Sequence, residues 1–324
     1  MPTGGLSSAE VVVFASAEAS GPTNVGVMTR VCVVGSVNMD LTFGVDALPR
    51  PGETVLASWL TSAPGGKGGN QAVAAARAGA RVQFVGGVGD DAAAERLRAH
   101  LHANGVGLNG TVAIPGPSGT AIIVVDSNAE NTIVVAPGAN GRLTLAATDS
   151  REVIADCDVL LTQLEIPVST AVAAAHEARS VGAAVIVNAS PAGHDQTRLA
   201  ELAAAADVVV ANEAEADEWP WRPTHLVVTL AARGARYVGA DGEFAVPAPA
   251  VRAVDTTGAG DVFAGVLAAN WPRDPGANPA SRAARLAALR RACAAGALAT
   301  LVPGAGDCAP EAEAIDAALR KELS

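Results

Sequence analysis

The segment DTTGAGD, Asp255 to Asp261, joins residue types that together can handle a phosphoryl group. Small residues at Gly258, Ala259 and Gly260 let backbone N–H groups converge, and the apolar run VFAGVLAAN that follows reads as a helix with a positive N-terminal pole. An anion fits there. Asp261 then falls in the first turn of that helix, beside the anion, where a carboxylate can take a proton from an attacking hydroxyl. The competing reading is an ordinary N-cap whose glycines serve only a tight turn.

A second glycine turn, PGGKGGNQAVAAARAG at Pro64 to Gly79, also enters a helix. It is not a Walker A loop, because Gly rather than Ser or Thr follows Lys67, and Thr61 stands where the first glycine belongs. Gly65, Gly66, Gly68 and Gly69 permit close approach of a ligand, while Lys67 and Asn70 offer polar contacts. A surface loop with a solvated lysine is the alternative. A third turn, GGVGDD at Gly86 to Asp91, lacks the third glycine and the acidic ribose clamp of a dinucleotide site, and is read as structural.

The elements that must position these residues are legible from Val31 onward, where short β-branched runs alternate with Ala-rich helical stretches. That alternation implies parallel strands joined by crossover helices. Further strands are expected at 159–163, 184–188, 208–212 and 226–230, so that Asn38, Glu165, Asn188 and Asn212 face one crevice outside the strand ends. LTFGVDALPRPGETVLAS and GTAIIVVDSNAENTIVVA alternate with period two instead. Both are expected to be antiparallel hairpins, forming a small sheet that covers the crevice, with lid strands at about 41–58 and 111–136.

The formal charge of −11 disfavours nucleic acid or an anionic membrane as partner and favours a small molecule. Cys32, Cys157, Cys293 and Cys308 lack metal-ligand spacing and are expected to be reduced thiols in a cytoplasmic protein without disulfides. Residues 1–29, rich in Ser, Ala, Gly and Thr, read as a flexible extension, with Met28 an alternative start; residues 30–324 form the main domain. The apolar run Val11 to Ala15 is too short to span a membrane and follows Glu10 rather than a basic residue.

GSVNMD at 35–40, PGGKGGNQ at 64–71, QLE at 163–165, NEAE at 212–215 and DTTGAGD at 255–261, in that order, closely resemble the motifs of the ribokinase-like (pfkB) carbohydrate kinases. The resemblance implies an α/β three-layer sandwich with a mostly parallel central sheet and a β-sheet lid. It also implies transfer of the ATP γ-phosphoryl group to the O5 hydroxyl of a sugar, D-ribose being favoured by GGKGGNQA, the NAENTIVVAPGAN hairpin and QLE. Other acceptors, such as fructose, ketodeoxygluconate or adenosine, and a non-catalytic sugar-binding relative are the alternatives.

Carried over residue by residue, the resemblance makes Asp261 the base and Gly258, Ala259 and Gly260 its anion hole. Asn38, Asp40, Gly66, Lys67, Asn70 and Glu165 would bind the sugar, and Asn212, Thr229 and Gly234 the nucleotide, with Gly258 and Gly260. Glu215 is implied near Mg²⁺. A monovalent cation such as K⁺ would lie among Asp255, Thr257, Ala299, Val302, Gly304 and Cys308. Two departures stand out: Cys308 occupies a position where Ser is common, and in the Thr229-Leu-Ala-Ala-Arg-Gly234 turn Ala231 replaces the first glycine of the family pattern. The exposed apolar lid strand suggests a homodimer.

Overall fold

The computed structural model describes residues 28–128, 130–239, 242–272 and 279–322. The expected extension at 1–29 therefore lies outside the described residues except for its last two positions. Thirteen strands form two sheets among the described residues. The large sheet contains β1 (Arg30–Val34), β4 (Arg81–Val88), β5 (Gly107–Ala113), β8 (Val159–Thr162), β9 (Ala184–Asn188), β10 (Val208–Asn212), β11 (His225–Thr229), β12 (Ala235–Gly239) and β13 (Gly242–Val246). Its order is β13-β12-β11-β10-β9-β8-β1-β4-β5, parallel except where β12 pairs with β11 and β13.

Side chains alternate across these strands, and the alternation divides the interior into two cores. Val31 and Val33 of β1, with Val208 and Val210 of β10, face one core. Cys32, Val34, Val209 and Ala211, their immediate neighbours, face the other. A strand buried on both faces carries no polar stripe, which explains the unbroken VCVV and VVVA runs. Helices α1 (Lys67–Arg77), α2 (Ala92–Ala103), α7 (Ala259–Asn270), α8 (Pro279–Ala299) and α9 (Ala312–Glu322) supply the first core; α3 (Thr148–Ala155), α4 (Val168–Ser180) and α5 (Gln196–Ala205) the second. This is the three-layer sandwich with a mostly parallel sheet that the family motifs imply.

The small sheet runs β3 (Trp59–Gly65), β2 (Asn38–Gly44), β6 (Gly119–Val125), β7 (Asn131–Ala136). Here the expected hairpin over 41–58 is corrected. Residues 45–58 hold no strand: Pro49 and Pro51 interrupt the alternation and cannot donate ladder hydrogen bonds, so β2 pairs instead with 59–65, Asn38 opposite Gly65. β2 and β6 run parallel, making the lid a mixed sheet, and residues 111–113 belong to β5 in the large sheet rather than to the lid. β6 and β7 do form the expected hairpin.

One packing detail governs the site. A Cβ on Gly265 would stand 2.3 Å from the Gln71 carbonyl oxygen and 2.8 Å from the Ala74 Cβ, so only glycine lets α7 close onto α1. Gly265 lies one helical turn beyond Asp261, and the contact brings that carboxylate to the first turn of α1.

Candidate active site

Two helix N-termini meet at the centre of the candidate site. Gly258 begins α7 with φ 79°, and a Cβ there would collide with Ala305 Cα at 2.8 Å. A Cβ on exposed Gly260 would meet nothing within 4 Å, so the space in front of this helix N-terminus can take a ligand. Asp261, buried at 8% exposure, is held on both oxygens: Oδ2 accepts from Asn70 Nδ2 at 3.1 Å and Oδ1 from Gln71 Nε2 at 3.0 Å. Gln71 follows Asn70 in the quoted motif, yet sequence reasoning gave it no role; a lone polar side chain at the head of an Ala-rich helix was its only signal.

Gly66 begins α1 with φ 87°, and a Cβ there would lie 2.7 Å from the Asn38 nitrogen. The turn therefore presses against the start of β2. Glu165 sits over the first turn of α1, its Oε2 accepting from Ser36 Oγ at 2.5 Å and from the Lys67 backbone N–H at 3.2 Å. Burial pushes the Lys67 ammonium toward the neutral form, but the carboxylates of Asp261, Glu165 and Glu215 outweigh it and hold its pKa above the ordinary value. Lys67 is thus a cation facing the carboxylates of three separate elements.

Asn38 and Asp40 lie on lid strand β2. Asn38 Oδ1 accepts from Asn140 Nδ2 at 2.8 Å, and Asn140 is itself fixed by hydrogen bonds with the backbone of Val37. Asn140 ends the quoted NAENTIVVAPGAN segment and was also left without a role. Asp40 is different. Its Oδ1 is buried without a hydrogen-bond partner, and burial, reinforced by Glu165 and Asp261, raises its pKa to about 7. A buried acceptor left without a protein partner suits a ligand rich in hydroxyls.

On the other flank, Asn212 and Glu215 form a capping box on α6 (Glu213–Glu218): Asn212 Oδ1 accepts from the Glu215 N–H at 2.8 Å, and Glu215 Oε2 accepts from the Asn212 N–H at 2.9 Å. The NxxE motif is therefore a helix start that turns the Glu215 carboxylate back onto its own N-cap, from where it also acts on Lys67. Thr229 ends β11, its hydroxyl donating to the Ala211 carbonyl at 3.3 Å. The turn that follows contains Ala231 at φ 50°, the one non-glycine positive φ among the described residues, and Gly234, where a Cβ would lie 2.0 Å from the Val246 carbonyl oxygen.

The six residues expected around a monovalent cation also converge. Asp255 accepts from the Thr257 N–H at 2.9 Å and the Gly304 N–H at 2.8 Å; burial opposes ionisation, but these hydrogen bonds outweigh it and lower its pKa. Val302 N donates to the Ala299 carbonyl at 3.2 Å, and Cys308 Sγ lies 3.9 Å from the Thr257 carbonyl oxygen. Burial, then Asp261, pushes the Cys308 thiol up to about 11, so it stays a neutral donor. One carboxylate among carbonyl oxygens suits a hard monovalent cation better than a soft metal. Among the described residues no group of three or more His, Cys, Asp or Glu could hold a metal ion.

All four cysteines are buried thiols outside any disulfide, and the GGVGDD turn is structural, with Asp91 capping α2 and accepting from Ser118. No described helix is long and apolar enough to cross a membrane.

The chain is similar to known proteins in sequence and in fold. A family model described as pfkB family carbohydrate kinase matches residues 28–312. Ribokinase from Bacillus subtilis is 37% identical over 282 residues, which cover 83% of this chain and 95% of that protein. Deoxyribokinase from Salmonella typhi is 32% identical over 259 residues, 74% of this chain and 84% of that protein. The solved structure of Arabidopsis thaliana ribokinase complexed with ribose and ATP superposes with a TM-score of 0.80 at 27% identity, covering 91% of this chain and 99% of that one.

Proposed function

Because the chain belongs to the pfkB family of carbohydrate kinases, we propose that it phosphorylates D-ribose with ATP, transferring the γ-phosphoryl group to the O5 hydroxyl and giving D-ribose 5-phosphate. The observation that carries the reading is the meeting of Asp261, at the N-terminus of α7, with Asn70 and Gln71 in the first turns of α1, the helix that Lys67 begins. The Asp261 carboxylate also acts on Lys67 and Asp40.

In this reading the sugar lies under the lid, its secondary hydroxyls donating to Asp40 and Asn38, with Gly66, Lys67, Asn70 and Glu165 around it. Asp261 takes the proton of the O5 hydroxyl as that oxygen attacks the γ-phosphorus. The bond between the γ-phosphorus and the β–γ bridging oxygen breaks, and ADP leaves. The backbone N–H groups at Gly258, Ala259 and Gly260 meet the charge of the transferring group, and Lys67 balances it from the sugar side. Asn212, Thr229 and Gly234 flank the nucleotide. Mg²⁺ near Glu215 would neutralise phosphate charge, and a monovalent cation such as K⁺ held by Asp255, Thr257, Ala299, Val302, Gly304 and Cys308 would fix the loop that presents the anion hole.

The lid supports a homodimer. Trp59, Leu60, Ile122, Ile133, Val134 and Val135 are each 41–60% exposed on its strands, and β7 is exposed along its length. Four thiols outside any disulfide suit a cytoplasmic enzyme. An ADP-release assay over ribose, 2-deoxyribose, fructose, ketodeoxygluconate and adenosine, with and without K⁺, tests the assignment. The highest kcat/KM is expected for ribose. Equal or greater turnover of another acceptor moves the enzyme elsewhere in the family, and no turnover of any leaves a sugar-binding protein.

A further inference from the structure

We propose that Gln71 is a positioning residue for the Asp261 carboxylate, oriented by a one-way chain of buried amides that starts at the Val210 carbonyl and runs through Asn188 and Gln71 to Gln163. The inference rests on Asp261 being the base. Asn188 Nδ2 donates to the Val210 carbonyl oxygen at 3.1 Å, which turns Asn188 Oδ1 toward α1. Gln71 Nε2 then donates both to Asn188 Oδ1 and to Asp261 Oδ1, each at 3.0 Å. Its Oε1 accepts from Gln163 Nε2 at 2.7 Å. Gln71 and Gln163 are fully buried and Asn188 is 7% exposed, so water does not compete for these groups.

The polarity of the chain is fixed. A backbone carbonyl can only accept, so Asn188 cannot flip without losing Val210. With Asn188 Oδ1 in place, a flipped Gln71 would set its oxygen against two acceptors and its NH₂ against the NH₂ of Gln163. The chain ends at Gln163 Oε1, a buried acceptor with no partner, 2.0 Å from where a Cβ on Gly35 would stand. Gln71 Oε1 can only accept, and that commits the Gln163 NH₂ to it. A strand carbonyl of the large sheet thus decides which atom of Gln71 meets the base.

The chemistry explains why an amide stands here. Asp261 must point one lone pair at the sugar hydroxyl and stay basic enough to take its proton. Asn70 on one oxygen and Gln71 on the other remove the freedom of the carboxylate to rotate, and neither brings the full positive charge that would draw electron density from the base. Orientation errors of this kind cost about 10²-fold in rate per ångström of misplacement.

The test is a double-mutant cycle measured as kcat and KM for ribose. Gln71→Leu, similar in volume but without the donor, is expected to lower kcat by roughly 10- to 100-fold while KM for ribose changes by no more than about twofold. In the Asp261→Asn background the same substitution should change kcat by less than about twofold, since a residue acting through the carboxylate has nothing left to act through. Gln163→Met keeps Gln71 and Asp261 in place and should give a smaller loss of the same kind; it carries the test if Gln71→Leu does not fold. Wild-type kcat in folded Gln71→Leu, or an equal loss in both backgrounds, overturns the proposal and leaves the base intact. Wild-type kcat in Asp261→Asn alone overturns the base, and the proposal with it.

Discussion

At the residue scale the site sets one cation, Lys67, among the carboxyl groups of Asp40, Glu165, Glu215 and Asp261. Replacing the base by Asp261→Asn keeps the steric shape, sets an NH₂ against one of the two amide donors, Asn70 or Gln71, and removes the proton acceptor, so kcat should fall by about 10²–10⁴-fold with KM for ribose nearly unchanged, as steady-state kinetics will show. Asp40 carries the opposite burden. Its folded-state pKa of about 7 lies above the ordinary 3.8, because burial and then the charges of Glu165 and Asp261 disfavour ionisation. The folded state therefore holds the proton more tightly, and the contribution of Asp40 to stability is full below pH 3.8 and is lost as pH rises through about 7. Asp40→Asn should raise the melting temperature of the ligand-free protein by ~2–4 °C at pH 8, with little effect at pH 4, while weakening ribose binding. Calorimetry at the two pH values, and equilibrium binding of ribose, separate these outcomes.

At the element scale the position of the base depends on how closely two helices approach. Gly265 lets α7 rest on the Gln71 carbonyl, and that contact sets Asp261 beside Asn70 and Gln71. Gly265→Ala forces the helices apart and should cost about 1–3 kcal/mol of stability, together with a loss of kcat, although residue 265 touches no substrate. Urea unfolding and steady-state kinetics on the same preparation check both. The turn after β11 stores a smaller strain. Ala231 at φ 50° occupies the left-handed region that costs a residue with a Cβ roughly 1–2 kcal/mol, so Ala231→Gly should raise the melting temperature by ~2 °C and lower KM for ATP. An unchanged or higher KM would show that the turn already has its nucleotide-binding shape.

At the scale of the whole molecule, two cores hold the large sheet rigid while the four-stranded lid carries Asn38 and Asp40 over the crevice. The lid leaves edge strand β7 unpaired on one side and exposed along its length, with Ile133, Val134 and Val135 its apolar part. If two copies associate through this face, the double substitution Ile133→Lys with Val135→Lys should convert a dimer to a monomer in sedimentation equilibrium and raise KM for ribose, since an unsupported lid would hold Asp40 loosely. A wild-type monomer at micromolar concentration would remove the dimer from the account.

Much of this was legible in the chain itself. The β-branched runs and Ala-rich stretches gave the alternating strands and helices because burial on both faces of a parallel sheet leaves its period in the residues. The two glycine turns could be read because backbone that packs this closely, Gly66 against Asn38 and Gly258 against Ala305, leaves no room for a Cβ. The second arm of the first lid hairpin was misplaced because alternation does not say which strand will be the partner, and Pro49 and Pro51 send the chain past the expected turn to residues 59–65. Gln71, Gln163 and Asn140 drew no role and Asn188 only a place at the crevice, since an amide shows its purpose only through the groups around it. Those groups lie 22 to 190 residues apart along the chain, at Asn188 to Val210 and Gln71 to Asp261, and only the folding of α1, α7 and the sheet onto one another brings them within hydrogen-bond distance.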